Sequence, residues 1–138
     1  VDIWQVRMKP GKPLAFGALA GTPLLGLPGN PVAALVSFEQ FGRPAIRRML
    51  GPPTLPLPEL DAVITERITN PGRRRHYVRG IVERSATGLA ARPVGETGSA
   101  ILTAVTRANC FIVVPETCDV VEAGETLRVQ LLGGVTPI

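Results

Sequence analysis

The sequence predicts an α/β segment followed by a small all-β barrel. Three observations support this fold class: residues 1–51 carry apolar runs and then a long helical pattern, residues 52–57 are rich in proline, and residues 58–138 are short alternating segments and turns. Alternation with a period of two is typical of half-buried strands, and an apolar spacing of three and four is typical of helices. A stiff proline linker at 52–57 therefore separates two predicted domains.

The composition is that of a globular protein with an aliphatic core. Of its 138 residues, 45% are hydrophobic and only 4% are aromatic, while 15 glycines and 14 prolines indicate many turns. The net charge of +4 suits an anionic ligand. Two cysteines are too few for a disulfide scaffold, which favours a cytoplasmic location. No apolar run approaches the roughly 20 residues of a membrane span, so we expect no membrane partner.

The first domain begins with three predicted strands. Residues 3–8 alternate between apolar and polar, and Leu14–Leu19 is a second apolar run. Leu24–Leu27 is short and wholly apolar, as expected for a strand that is covered on both faces.

The helix that follows has clear start and stop signals. Asn30 is a good N-cap, and Pro31 suits the first helical position, where no N–H is needed. Because Pro44 lacks an N–H, we expect a kink or break between Gln40 and Pro44. Gly51 ends the helix.

The second domain is predicted to be a small β-barrel. Thr87-Gly88 is a hairpin turn between two alternating segments. The strands are expected at Ala62–Ile68, His76–Arg84, Leu89–Val94, Asn109–Val114 and Thr126–Leu132. About five short strands separated by turns are typical of a barrel, and residues 101–108 fit either a strand or one helical turn.

Two motifs of the first domain are candidate anion sites. Lys9-Pro10-Gly11-Lys12-Pro13 holds the only two lysines of the chain, and its central turn lets both ammonium groups converge on one anion. Gly26-Leu27-Pro28-Gly29-Asn30-Pro31 joins a strand to a helix start, where we expect N–H groups aimed outward. The alternatives are an exposed basic turn and a rigid connection. Neither a phosphate-binding P-loop nor a dinucleotide fingerprint is present.

Several barrel residues have both a functional and a structural interpretation. Arg79 shares one strand face with Tyr77 and reaches into a cleft or is a surface arginine. Ser99 ends a glycine-flanked loop that cradles an anion or is a simple turn. The run Arg73–Arg75 is expected to be solvated, and the lone His76 exposed and idle. Cys110 is expected to fill the core, and no metal-ligand spacing is found.

The sequence resembles one family, the MoeA and gephyrin E-domain family of molybdopterin molybdenumtransferases. The specific matches are Met8–Gly17 and Gly26–Val32, and weaker matches in the family's order are Val78–Gly80, Gly98-Ser99 and Ala108–Pro115. The resemblance extends from Met8 to about Leu132. It implies that residues 1–51 end a molybdopterin-binding, three-layer α/β domain, that 58–138 form the C-terminal barrel, and that the chain is a C-terminal fragment of a longer protein.

The family resemblance also implies an activity and a site. Members use molybdate and Mg²⁺ to convert adenylylated molybdopterin into molybdenum cofactor, releasing AMP. By resemblance, Lys9, Lys12, Arg79 and Ser99 serve catalysis, while Pro28, Gly29, Asn30 and Pro31 shape the substrate cleft. The Mg²⁺ ligands are expected upstream of this chain. The family site forms between subunits, so a homodimer is expected, and the chain alone is expected to be inactive.

One departure and two alternatives remain at this point. Many members carry a serine where this chain has Ala33, so a hydroxyl role there is lost. A gephyrin-like scaffold that binds peptides is the first alternative; Lys12 favours the enzyme, because gephyrin-like chains resemble Lys-Pro-Gly-Leu. A nucleic-acid-binding barrel is the second. It is disfavoured because Tyr77 and Phe111 are the only aromatic residues in the barrel sequence available for base stacking.

Overall fold

A computed structural model describes residues 2–11, 13–51, 57–94 and 107–132. The chain divides into two units, Val1–Pro56 and Leu57–Ile138. Lys12, Ser99, most of the predicted linker and most of the ambiguous segment 101–108 lie outside the described residues.

The first unit is built on a three-stranded antiparallel sheet in the order β1-β3-β4. The strands of this sheet are β1 (Asp2–Gln5), β3 (Pro13–Leu19) and β4 (Thr22–Gly26), and a short strand β2 (Met8–Lys9) lies between β1 and β3 in the sequence. The single strand predicted over 3–8 is wrong, because the Met8 N–H donates to the Val6 carbonyl over 2.8 Å and this tight turn breaks the strand. The expectation that Leu24–Leu27 is covered on both faces is also wrong, since Leu24 is 38% exposed.

One helical segment follows the sheet and has three parts. They are α1 (Pro31–Ser37), a π-helical turn (Phe38–Gly42) and α2 (Arg43–Leu50). Asn30 caps α1 as predicted, and the helix ends before Gly51, whose φ is 115°. Among the described residues, no helix is long and apolar enough to cross a membrane.

The π-helical turn is the form taken by the interruption predicted between Gln40 and Pro44. The Arg43 N–H donates to the Phe38 carbonyl, which is the wider spacing of a π-helix. Arg43 also donates two side-chain hydrogen bonds to the buried Glu39, of 2.7 and 2.8 Å. These bonds raise the pKa of the Arg43 guanidinium. The ion pair joins two residues four apart and so stabilises the π-helical turn.

The second unit is a closed β-barrel, as predicted. Its strands and one outlying pair are β5 (Glu59–Ile64), β6 (Ile68–Thr69), β7 (Arg75–Ser85), β8 (Gly88–Pro93), β9 (Cys110–Val114), β10 (Val120–Val121) and β11 (Thr126–Leu131). The ring runs β7-β8-β5-β11-β9 and closes by pairing β9 with β7. Only the β5–β8 pairing within the ring is parallel. Strands β6 and β10 pair separately, and β10 was not predicted because two residues show no alternation. The single strand predicted over Ala62–Ile68 is wrong, because β5 ends at Ile64 and Ile68 belongs to β6.

Alternation along β7 separates the core of the barrel from its outer wall. Val78 and Val82 belong to the buried cluster, together with Ile112 and Val114 of the neighbouring β9. Gly80 has the same parity and faces inward. A Cβ there would lie 2.8 Å from Ile112 Cδ1 and 2.9 Å from the Arg92 carbonyl oxygen, so only glycine fits this position.

The barrel core makes the two cysteines chemically unequal. Burial raises the pKa of the Cys110 thiol to about 12, whereas Cys118 is half-buried. Because the thiolate is the nucleophile, we expect one thiol to react quickly with a disulfide reagent at pH 8 and the other only after unfolding. A Cys118→Ser variant should lose the fast phase. Two thiols reacting at one rate in the native chain would contradict this assignment.

Candidate functional site

The first candidate motif is a turn that packs tightly on the helix. It follows the cis peptide bond between Lys9 and Pro10, and Gly11 is buried with a φ of 101°. A Cβ on Gly11 would lie 2.6 Å from Ser37 Oγ and 2.8 Å from Met8 Cε. Both the backbone angle and the lack of space require glycine, so the turn is fixed against α1.

This contact joins the first candidate motif to α1, the helix that begins at the second motif. Gly11 lies against the side of α1, beside Ser37 and the Ala33 carbonyl, and α1 begins at the Pro28–Pro31 loop. Lys9 is half-buried at the start of the turn. The structure thus places the turn that begins at Lys9 against α1, through the contact of Gly11 with this helix.

The helix start itself does not offer the N–H groups that were expected for an anion. Asn30 Oδ1 accepts hydrogen bonds from the N–H groups of Val32 (3.0 Å) and Ala33 (3.1 Å). The Asn30 carbonyl accepts the Ala34 N–H over 2.8 Å, and Pro31 has no N–H. The expectation of outward N–H groups in α1 is therefore wrong, because Asn30 caps its own helix. An anion here would depend on side-chain cations and on the loop before the helix.

The two glycines of the loop have different structural roles. A Cβ on Gly26 would lie 2.8 Å from the Ala15 Cβ of the paired strand β3, so Gly26 is required by the sheet. Gly29 is exposed, and no described atom lies within 4 Å of a Cβ built there. Packing within the described residues therefore does not require glycine at 29. Its missing side chain leaves the loop backbone open to close approach by a ligand.

This difference predicts that alanine destabilises the protein at position 26 and has little effect at position 29. We expect Gly26→Ala to lower the free energy of unfolding by about 1–3 kcal/mol, because the new methyl group overpacks against Ala15. Gly29→Ala should leave it within about 0.5 kcal/mol, as at an open surface position. Urea unfolding of both variants measures the difference. Equal losses would show that the two glycines do not differ in this way.

In the second unit, Arg79 lies on the outer wall of the barrel. It faces away from Val78 and Gly80 and is opposite Phe111 in the register of β7 and β9. Its side chain is only 6% exposed, so the alternative of a surface arginine is wrong. Tyr77, on the same face, packs edge-on against Phe111 with ring centroids 6.4 Å apart. A guanidinium held on such a wall is a strong and directional partner for an oxyanion.

Strand β7 is held in place by the side chain of Asn109, which the sequence placed in a predicted strand and in a matching segment without assigning it this role. The Asn109 amide accepts the Val82 N–H over 2.8 Å and donates to the Val82 carbonyl over 2.9 Å. It therefore pairs with β7 as a further strand would, three residues from Arg79. An asparagine before an apolar strand is the only sequence signal of this role.

Two family models match this chain. The model described as "MoeA C-terminal region (domain IV)" covers residues 61–132, which is more than half of the chain. The chain belongs to the MoeA family. A second model, described as "Probable molybdopterin binding domain", matches residues 1–48.

Relatives of this MoeA-family chain are found among curated proteins and solved structures. "Molybdopterin molybdenumtransferase 2" of Mycobacterium tuberculosis is 40% identical over 94% of this chain and 31% of the relative. "Molybdopterin molybdenumtransferase" of Haemophilus influenzae is 36% identical over 94% and 33%. The "molybdopterin biosynthesis moea protein" of Pyrococcus horikosii superposes with a TM-score of 0.78 and 29% identity, over 96% of this chain and 32% of that one. This chain thus spans about a third of the length of the relatives that it matches.

The other residues singled out in the sequence of this MoeA-family chain lie in the second unit. Arg73 is exposed, with Asp119 at 4.0 Å, as expected for a solvated arginine. The expectation does not hold for the whole run, because Arg74 is half-buried and Arg75 lies over the Tyr77 ring at 5.9 Å. The expectation that His76 is exposed is wrong, because it shares the inward parity of Val78 and is buried. Cys110 fills the core as predicted. The described part of the chain holds no group of three His, Cys, Asp or Glu side chains that could bind a metal ion.

An apolar groove of about 590 Å³ lies between the sheet and the helix of the first unit. Residues of β3, β4, the π-helical turn and α2 line it, including Phe16, Leu24, Phe38, Ile46 and Met49. Charged side chains are absent from its lining, so the groove does not suit an oxyanion. The site residues Lys9 and Gly11 are not part of it.

Proposed function

We propose that this chain is the C-terminal third of a molybdopterin molybdenumtransferase, which inserts molybdate into adenylylated molybdopterin, forms molybdenum cofactor and releases AMP. The names of the relatives and the match over both units support the proposal. In this proposal, residues 1–51 complete the molybdopterin-binding domain, 52–57 are the linker and 58–138 are the C-terminal domain. The protein is proposed to act in the cytoplasm as a homodimer.

The observation that carries the proposal is the seating of the Lys9–Gly11 turn against the helix that follows the Gly26–Pro31 loop. Molybdate is a tetrahedral dianion, and molybdopterin brings a phosphate. A turn whose backbone is fixed by a buried glycine fixes the point from which the Lys9 side chain extends, so less backbone reorganisation is needed when the anion binds.

Each proposed residue has a separate physical role. Lys9 and Lys12 supply compact positive charges for molybdate or a phosphate oxygen. Arg79 supplies a planar fork that accommodates two oxygens of one anion, and Ser99 supplies a hydroxyl. Pro28, Gly29, Asn30 and Pro31 form a rigid loop, and the open backbone at Gly29 allows the substrate to approach closely.

The resemblance also implies Mg²⁺. Mg²⁺ takes octahedral oxygen ligands, usually with one or two carboxylates. No acidic cluster of the required kind is found in the described segments. We therefore assign no residue of this chain to Mg²⁺ and derive no step of the reaction through it.

The proposal predicts that molybdate binding depends on charges from both units. In calorimetric titrations of the full-length protein, we expect Lys12→Ala and Arg79→Ala each to weaken molybdate binding at least tenfold, or about 1.4 kcal/mol. Arg79→Lys should recover only part of the loss, because an ammonium lacks the planar fork. Arg92→Ala, which removes an exposed arginine from β8, is the matched control.

The titration has two results that would count against the proposal. If the unmodified protein binds no molybdate in the presence of adenylylated molybdopterin, the transferase assignment fails and a scaffold role is favoured. If all variants bind as tightly as the unmodified protein, the activity stands but the site residues are wrong. Gly29→Ala adds a further check, since it should weaken substrate binding without lowering the melting temperature.

A further inference from the structure

Arg79 is followed in strand β7 by a residue that does little to restrain its own backbone. Gly80 cannot carry a side chain, because a Cβ there would lie 2.8 Å from Ile112 Cδ1. Glycine has more backbone freedom than any other residue, so other contacts must fix the direction of the chain beside Arg79. That direction matters for the proposed site, because a guanidinium binds two oxygens of one anion only when its planar fork is correctly oriented.

Hydrogen bonds on both edges of β7 supply this restraint, and Asn109 makes three of them. On the β8 side, the Arg79 carbonyl accepts the Val94 N–H over 3.0 Å. On the β9 side, the Asn109 N–H donates to the Gly80 carbonyl over 3.0 Å. The Asn109 side-chain amide bonds both the N–H and the carbonyl of Val82, at 2.8 and 2.9 Å. Asn109 therefore holds the first and the third residue after Arg79.

The amide of Asn109 replaces a strand residue that β9 does not provide. Strand β9 begins at Cys110, opposite Gly80, so the ladder between β9 and β7 stops two residues before Val82. Val82 is fully buried, and its N–H and carbonyl would lose these partners without the amide. An amide offers a donor and an acceptor on separate atoms, which a hydroxyl does not. The Asn109 carbonyl accepts the Leu132 N–H over 3.1 Å, so Asn109 is itself anchored.

We propose that Asn109 is a positioning residue, which holds the Arg79–Val82 segment of β7 and thereby orients the Arg79 guanidinium for anion binding. The inference rests on the proposed function for its anion. Asn109 acts through Arg79 and does not itself contact the anion, so its effect on binding depends on the presence of the guanidinium.

Asn70 provides a matched control, because it is a second asparagine that bonds the backbone near the other end of β7. Its exposed fraction is 0%, and its Nδ2 donates to the carbonyls of Arg74 (2.8 Å) and Cys118 (3.0 Å). Arg74 directly precedes β7 and lies five residues before Arg79. Loss of either amide should destabilise the barrel, but only loss of Asn109 should disturb Arg79.

Molybdate titrations of the full-length protein, with adenylylated molybdopterin present, test this role. We expect Asn109→Ala to weaken molybdate binding at least fivefold and Asn70→Ala to leave it within twofold. Asn109→Ser, whose single short hydroxyl cannot bond both groups of Val82, should weaken binding in the same direction and serves if the alanine variant does not fold. In an Arg79→Ala background, Asn109→Ala should change the affinity less than twofold, because the residue through which it acts is absent.

Amide hydrogen exchange provides a readout that does not depend on the ligand. In Asn109→Ala and Asn109→Ser, exchange in residues 79–82 should accelerate at least fivefold, whereas Asn70→Ala should leave it unchanged there. Unchanged exchange in residues 79–82 in both Asn109 variants would overturn the inference, whatever the binding data show.

The binding data can overturn it independently. If Asn109→Ala weakens binding as much without Arg79 as with it, or if Asn70→Ala weakens binding equally, Asn109 has only a structural role. If the Asn109 variants bind molybdate as tightly as the unmodified protein, the proposed function stands and the positioning role is wrong. If the unmodified protein binds no molybdate, the proposed function fails and the positioning role fails with it. The two failures are therefore distinguishable.

Discussion

Close approach of the backbone at glycine is the constraint on which both units depend. Gly11 rests on Ser37, Gly26 on the Ala15 methyl group of the paired strand, and Gly80 on Ile112 and the Arg92 carbonyl inside the barrel. In each case a single added carbon has no room. These contacts fix a turn, a strand pair and a barrel strand, and the predicted ligand residues Lys9 and Arg79 are close neighbours of two of them. Glycine at these positions is therefore required for the backbone geometry next to Lys9 and Arg79.

The helix start shows how one residue changes the chemistry of a motif. A helix N-terminus attracts anions both through its partial charge and through unpaired N–H groups. The side chain and carbonyl of Asn30 accept hydrogen bonds from the first N–H groups of α1. Only the partial positive charge of the helix start then remains to attract an anion. The proline and glycine residues around it consequently matter for backbone shape. Sequence inspection recognised the cap and the anion site separately, although the first removes the donors of the second.

Regular features were predictable from the sequence, and features set by tertiary contacts were not. The barrel strands, the Asn30 cap and the end of the helix follow from alternation and capping, which are local properties. The break after Gln5 depends on one backbone hydrogen bond, and the burial of Arg79 depends on what surrounds the outer wall of the barrel. The hydrogen bonds of Asn109 were missed for the same reason, because they are made to Val82, which is distant in the sequence. The roles of Lys9, Lys12, Arg79, Ser99 and the Pro28–Pro31 loop all remain predictions, and Lys12 and Ser99 also lie outside the described residues.

The candidate cations of the two units differ in kind: lysines in the first unit and an arginine in the second. Lysine is a compact charge that tolerates an imprecise approach, whereas arginine binds two oxygens only when its fork is held in the correct plane. In the proposed function, Lys9 of the first unit contributes a compact charge and Arg79 of the second a directional fork. Arg79 lies on a strand that is closed into a ring, packed through Gly80 and bonded to Asn109 at Val82. A flexible loop arginine would lose more side-chain entropy on binding the same anion.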